Sequence, residues 1–470
     1  MNPSKIKNLR TALEWLESCG EVPIVITKPI QARYELAAQY AVQGGGVPVK
    51  PPTKLGLPML FERVMPQDKP VLVGLFGSRH RCALLVGTSQ DKLSRRILQA
   101  VDNPILPVFR ENPPCQEVIE QQKVDLTTLP IPTLTPKDAG AYITMGLCLA
   151  KDPETGEQNV SVHRLCVQDK NKLTIWMVAG RHLESFYLKA QKMGQNLPIS
   201  IHIGIDPAIY LASCCPSYLA PLGCDELAIA GGLRGSPIEL SPCVTLPIPC
   251  ISQAEYVLEG EILGETMAEN SVSKGALPEF LGYDGEAHPA LPIVKIRAIT
   301  HCFNPLFQTV IGPGYEQSNL VAFGIEAAVL RFLHRNVSDR FIQAYCSSAG
   351  GGALLLFLQF TKTSPKDDEL IRQGALKVLA AFRLIKTIVL VDEDVDVFSE
   401  EDVWWAMTTR FQANRDLTVI PKTVGFALDP SQNPSYSPTI EHPGMTSKVI
   451  FDCTVPFSLK ATFQRSHFSY

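Results

Sequence analysis

Apolar residues at Ile6, Leu9, Leu13 and Leu16 recur at helical spacing, and Gly20 follows them as a stop. Residues 71–76 form a short continuous apolar run that predicts a buried strand, and 92–101 predict a helix. Pro104, Pro107, Pro113, Pro114, Pro130, Pro132 and Pro136 then mark a connecting stretch. From 141 to 302 the period changes, with strands predicted over 143–150, 161–167, 173–178, 199–205, 256–263 and 293–300. Strands separated by turns, with few long helices, form a barrel or a strongly curved sheet. Beyond Gly312 the alternation of helix and strand returns: helices over 317–334, 367–384 and 399–410, strands over 352–360 and 386–391. Ser399 is the expected N-cap of the last helix, with Glu401 and Asp402 in its first turn. The predicted fold class is therefore multidomain α+β or α/β. It has an N-terminal α/β domain over 1–112, a central antiparallel split β-barrel domain over 113–307 and a C-terminal α/β domain over 308–470.

Bulk properties narrow the function classes. A chain of 470 residues is too long for one core, and 45% hydrophobic with 19% charged residues is ordinary globular composition. A net charge of -4 and a pI near 6.2 leave no electrostatic footprint for nucleic acid, so no nucleic-acid partner is expected. The first ten residues lack the apolar stretch of a secretory signal, and the longest apolar run, 353–358, is far short of the roughly 20 residues of a spanning helix. No membrane span is expected. Thirteen cysteines, an odd number without a CxxC pair, fall mostly in apolar runs and suit a reducing compartment, hence a cytoplasmic location. Cys214, Cys215 and Cys224 do not have zinc-ribbon spacing. The acidic run 392–396 reads as a solvated loop in preference to a metal site.

The polar residues left on the predicted barrel make chemical sense as a set. Asn159 and Ser161 share one face of a strand, and Arg164 has the opposite parity unless a bulge redirects it. His182 follows Gly180-Arg181 at a helix start, and Glu226 precedes a glycine-rich turn. Asn159, His182 and Glu226 together supply two oxygens and an imidazole, a set suited to Mn²⁺ or Mg²⁺. Arg164 offers a guanidinium fork for a substrate carboxylate. Glu279, flanked by Leu277, Pro278, Phe280 and Leu281, is an acid whose burial would raise its pKa. Each of these residues alone has a plainer reading as a cap, a polar strand end or a loop acid. Glu259 and Glu261 are further candidate acids, though a polar strand face explains them equally.

The order Asn159-x-Ser161-x-x-Arg164, Arg181-His182, Glu226 and Pro278-Glu279-Phe280-Leu281-Gly282-Tyr283 resembles the UbiD family of prenylated-flavin decarboxylases. The segments 138–144, 278–285 and 409–413 look most like the gallate and protocatechuate decarboxylases among them. The resemblance implies a flavin-reductase-like barrel that binds prenylated FMN, a divalent metal, usually Mn²⁺, and often K⁺. Asn159, His182 and Glu226 match the metal positions, while Ser161, Arg164, Arg181 and Ser217 match positions lining the cofactor. Arg164 and Glu279 match catalytic positions. Lys274, five residues before Glu279, stands where many relatives carry a Glu, which leaves its part in catalysis open.

The implied reaction is reversible decarboxylation of an aromatic acid through a covalent substrate–cofactor adduct, with Arg164 orienting the carboxylate and Glu279 delivering the proton. A UbiX-type flavin prenyltransferase is the implied cofactor supplier. A homo-oligomer, dimer or hexamer, is implied as well, with the C-terminal domain taking part in its assembly. Two alternatives are a furan or pyrrole carboxylate as substrate, with His288 and Arg297 holding a second acid group, and an inactive cofactor-binding subunit. A nicotinamide-dependent flavoenzyme lacks support, since no GxGxxG follows a strand.

Overall fold

The computed structural model describes residues 5–46, 55–426 and 428–466. The first four residues, part of the stretch read above as non-secretory, lie outside them. The chain divides into two compact units, Met1–Leu320 and Val321–Tyr470.

The first unit opens with helix Leu9–Ser18, capped by Asn8, whose side chain accepts from Thr11 N–H, and followed by Gly20 at φ 86°. Its first sheet runs Ile24–Ile26, Met59–Met65, Lys69–Val73 and Phe307–Gln308 in that order, with Ile30–Gln31 also paired to Met59–Met65. The strand expected over 71–76 stops at Val73 because the next backbone groups bond outside the ladder. Glu316 accepts from Gly74 and Phe76 N–H, and buried Arg81 donates to the Gly74 and Leu75 carbonyls.

The middle of the chain closes into a six-stranded antiparallel barrel. Around it run Tyr256–Met267, Leu197–Ile203, Tyr142–Lys151, Gln158–Asp169, Lys172–Ile175 and Leu291–His301, and the last pairs back with the first. All six strands had been predicted, with ends a few residues off. Lys172–Ile175 ends before 178 because the Trp176 carbonyl faces the ring of His163 instead of continuing the ladder. Alternate residues Leu197, Ile199, Ile201 and Ile203 meet Leu165, Ile175, Leu258 and Val294 in the packed core. The barrel is thus filled, and chemistry is left to its rim and outer face. Register shifts occur at four places in its ladders, two of them at Arg164 and Arg297. Between Gly146↔His163 and Ile143↔Leu165, two residues oppose Arg164, and Arg297 is the extra residue between Glu259↔Ala298 and Gly260↔Ile296.

The second unit holds a five-stranded sheet ordered Phe341–Cys346, Leu355–Phe360, Thr387–Asp392, Met445–Asp452, Leu417–Val424, parallel across its three central strands. The strand expected from 352 starts at Leu355, since a 3₁₀ turn, Ser348–Gly350, precedes it, followed by Gly351 and Gly352 at positive φ. Ser399 caps helix Glu400–Arg410 and accepts from Asp402 N–H, as expected. The acidic run 392–396 is not a simple solvated loop: Asp392 is buried and bonded by Arg410, and Asp394 is shared by Arg410 and Arg465. Among the described residues no helix is long and apolar enough to cross a membrane, and all thirteen cysteines are free thiols.

Candidate active site

Strand Gln158–Asp169 feeds two separate networks, as its two-residue side-chain period requires. Asn159, Ser161 and His163, of one parity, bond to one another in series. Asn159 lies 3.1 Å from Ser161 Oγ, Ser161 Oγ lies 2.8 Å from His163 Nε2, and His163 Nδ1 lies 3.0 Å from the Trp176 carbonyl. Desolvation holds the His163 imidazole down at about 4, so it is neutral near pH 7.

The far end of Asn159 meets two helix starts. His182 is the first residue of helix His182–Lys192, and Glu226 is the first of helix Glu226–Arg234, which Asp225 caps and Gly235 ends at φ 80°. One arm of the Asn159 amide lies 3.0 Å from His182 Nδ1 and 3.2 Å from Glu226 Oε1. The other arm lies 3.1 Å from Ser161 Oγ and 3.3 Å from Val160 N. Glu226 is 5% exposed, and burial pushes its carboxyl up to about 8. Burial also lowers the His182 pKa, assisted by the charge of Arg181. Asn159 therefore touches both of the other predicted ligands, and a buried carboxylate, an amide oxygen and an imidazole fit a divalent cation of borderline hardness. A cation there would reverse the burial penalty on Glu226. Elsewhere among the described residues, no group of three His, Cys, Asp or Glu side chains converges on a metal-sized site, and this excludes Cys214, Cys215 and Cys224. Arg181 and Ser217 are exposed, Arg181 at the cap of its helix and Ser217 in the turn after helix Pro207–Ser213.

Arg164 has the opposite parity and its own partners. Its Nη1 donates to Glu279 at 3.1 Å and its Nη2 to Glu269 at 2.9 Å, and its guanidinium carbon stands 4.9 Å from the centre of the Trp176 ring. Arg164 Nε is buried and has no hydrogen-bond partner among the described residues. Glu279 is carried in the loop of a small hairpin, Gly275–Ala276 paired with Gly285–Glu286. Its N–H donates to the Tyr283 carbonyl, and Gly282, at φ 93°, donates to the carbonyl of Glu279. Leu277 and Phe280 are buried around it. Desolvation raises its pKa above the usual carboxylate range despite the opposing pull of Arg164.

Glu269 is the residue that sequence reading missed. Only 1% exposed, it also accepts from Tyr142 Oη at 3.1 Å and His288 N–H at 3.0 Å. Its position ten residues before Glu279 hid it, because attention fell on the shorter spacing to Lys274. Lys274 is exposed, its carbonyl accepts from Ala287 N–H, and Glu269 is the carboxylate that faces Arg164 instead. Glu259 is buried and bonded by Val244 N–H and by Thr245 N–H and Oγ1, while Glu261 is ion-paired with Arg297.

Comparison with known proteins follows this geometry. Residues 107–315 match the family model of the 3-octaprenyl-4-hydroxybenzoate carboxy-lyase Rift-related domain, 318–453 its C-terminal domain and 13–101 its N-terminal domain. The gallate decarboxylase of Lactiplantibacillus plantarum is 38% identical over 446 residues, which are 92% of this chain and 91% of that protein. The apo structure of 3,4-dihydroxybenzoic acid decarboxylase from Enterobacter cloacae superposes with a TM-score of 0.95 at 41% identity, covering 99% of this chain and 98% of the other. An evolved dimeric form of the UbiD-class enzyme HmfF from Pelotomaculum thermopropionicum, in complex with prFMN, superposes with a TM-score of 0.83 at 30% identity, covering 98% and 97%.

Proposed function

Because the chain belongs to the UbiD family and is a carboxy-lyase, we propose that it reversibly decarboxylates a hydroxylated benzoic acid, using prenylated FMN and a divalent metal. The observation that carries this reading is Arg164, held between Glu269 and Glu279 with its Nε unengaged. Likeness to gallate and 3,4-dihydroxybenzoic acid decarboxylases supports the substrate class.

Asn159, His182 and Glu226 would hold Mn²⁺ or Mg²⁺, and Ser161, Arg164, Arg181 and Ser217 would line the cofactor, with K⁺ as a further ion. Bound prenylated FMN would supply the electron sink that loss of CO₂ from an aromatic ring requires. The protein's own part is orientation and proton handling. The planar Arg164 guanidinium, 13% exposed, has donors that match the two oxygens of a carboxylate. Glu269 and Glu279 fix its plane, so it is pre-aimed. The replacing proton is held on Glu279, whose Oε1 accepts from Arg164 while Oε2 is left to carry it. Leu277 and Phe280 keep water from that acid.

Residues 1–112, 113–307 and 308–470 serve in this reading as an N-terminal domain, the cofactor domain and a domain that contributes to a dimer or hexamer. The enzyme acts in the cytoplasm and receives its cofactor from a UbiX-type prenyltransferase. A furan or pyrrole diacid is less favoured, since Arg297 is paired with Glu261 and the His288 imidazole accepts from Ala290 N–H.

The test is anaerobic CO₂ release from a panel of hydroxybenzoic, furan and pyrrole acids, with protein co-expressed with a flavin prenyltransferase. Turnover of gallate or 3,4-dihydroxybenzoate that requires the co-expression is expected. Turnover of furan or pyrrole acids alone would replace the substrate class, and flavin binding without turnover of any acid would favour an inactive subunit.

A further inference from the structure

The orientation of one amide decides whether Asn159 can be a metal ligand at all. Its two arms are equivalent in shape, and only an oxygen on the arm that faces His182 and Glu226 can bind a cation. Local hydrogen bonding at that arm favours the wrong atom: a nitrogen there would donate to Glu226 Oε1 at 3.2 Å and to His182 Nδ1 at 3.0 Å. Something else must hold the oxygen in place.

Resting on the metal site proposed above, we infer that His163 is the positioning residue that turns the carbonyl oxygen of Asn159 toward the cation. A count of protons along the strand fixes the orientation. His163 Nδ1 faces the Trp176 carbonyl at 3.0 Å, and a carbonyl only accepts, so Nδ1 carries the hydrogen of the neutral ring. Nε2 is then a bare lone pair, 2.8 Å from Ser161 Oγ, and Ser161 must donate its single hydroxyl proton to it. Ser161 is left with lone pairs toward Asn159, 3.1 Å away, and the group it can receive there is the amide NH₂. The carbonyl oxygen therefore points to His182 and Glu226. With the amide reversed, two oxygens would meet at that 3.1 Å contact with no proton between them. The Val160 N–H stands 3.3 Å from this arm and would suit the reversed amide, but it also reaches Glu226 Oε2 at 3.4 Å, so the shorter 3.1 Å contact with Ser161 decides the orientation. Residues i, i+2 and i+4 of one strand thus act as a rigid relay, and Trp176, in the turn after the next strand, sets its polarity. Outer partners of this kind typically change metal affinity about 10–100-fold.

The test is Mn²⁺ titration into the flavin-loaded protein, with free Mn²⁺ followed by electron paramagnetic resonance. His163→Phe and Ser161→Ala are each expected to weaken Mn²⁺ binding by about 10–100-fold. His163→Gln, whose Oε1 replaces the lone pair of Nε2, is expected to bind Mn²⁺ close to wild type. The Ser161→Ala/His163→Phe double variant should bind no more weakly than the weaker single, because both changes break one relay. Unchanged affinity in His163→Phe, or independent losses that multiply in the double variant, would overturn the inference while the metal site stands. Should His163→Phe not fold, Ser161→Ala and His163→Gln decide the matter. Mn²⁺ binding that survives Asn159→Ala undiminished would sink the metal site itself, and the relay with it.

Discussion

Glu279 shows how a single carboxyl acquires an acid's role. Burial beside Leu277 and Phe280 favours its neutral form, and Arg164 favours the charged one; burial wins, so its pKa lies above the ordinary range. The protonated form is the one that can deliver a proton, so activity should be full below that raised pKa and fall as pH rises through it. Glu279→Gln should remove this alkaline limb and lower kcat by about 10²–10⁴-fold. A pH–rate profile of both proteins checks this, and an unchanged limb in the variant would assign the proton to another group. Glu269 illustrates the opposite task. Bonded by Arg164, Tyr142 and a backbone N–H, it has the partners of a group that anchors a guanidinium.

Secondary-structure elements decide which residues meet. His182 and Glu226 arrive at Asn159 because two helices begin there; the first start is legible from Gly180-Arg181, whereas Gly231 and Gly232, read above as a turn, lie inside the second helix, which Asp225 caps. The seam between Tyr256–Met267 and Leu291–His301 closes the barrel and carries a bulge at Gly260. A methyl group added at Gly260 would stand 2.6 Å from the Lys295 carbonyl oxygen, a backbone atom that cannot swing aside. Gly260→Ala is therefore expected to destabilise the protein by about 1–3 kcal/mol, read as a lower melting temperature. An unaltered melt would mean that the seam can widen freely.

For the whole molecule, the proposed metal couples three elements distant in sequence: a barrel strand and the starts of two helices. Removing it should loosen all three at once. Chelation and dialysis are expected to lower the melting temperature and abolish CO₂ release, and added Mn²⁺ should restore both. Activity and melting that persist after complete metal removal, confirmed by elemental analysis, would exclude the metal from the mechanism.

Local patterning was enough to predict all six barrel strands, because a buried strand repeats every two residues and turns announce themselves by composition. Patterning alone did not single out Asn159, His182, Glu226, Arg164 and Glu279, each of which has a plainer local reading; the family resemblance grouped them as the proposed site. Where strands stop was decided elsewhere: Glu316 and Arg81 claim the backbone after Val73, and His163 faces the carbonyl of Trp176. Glu269 was illegible because nothing near it in sequence marks it. It becomes a partner of Arg164 only when the long strand Tyr256–Met267 delivers the chain back past residue 164. The exposure of Lys274 was illegible for the same reason in reverse, since spacing along a loop does not say which side chain turns inward. Periodicity is a property of neighbours in the chain, whereas burial and charge pairing belong to neighbours in space, and only the closed barrel brings those together.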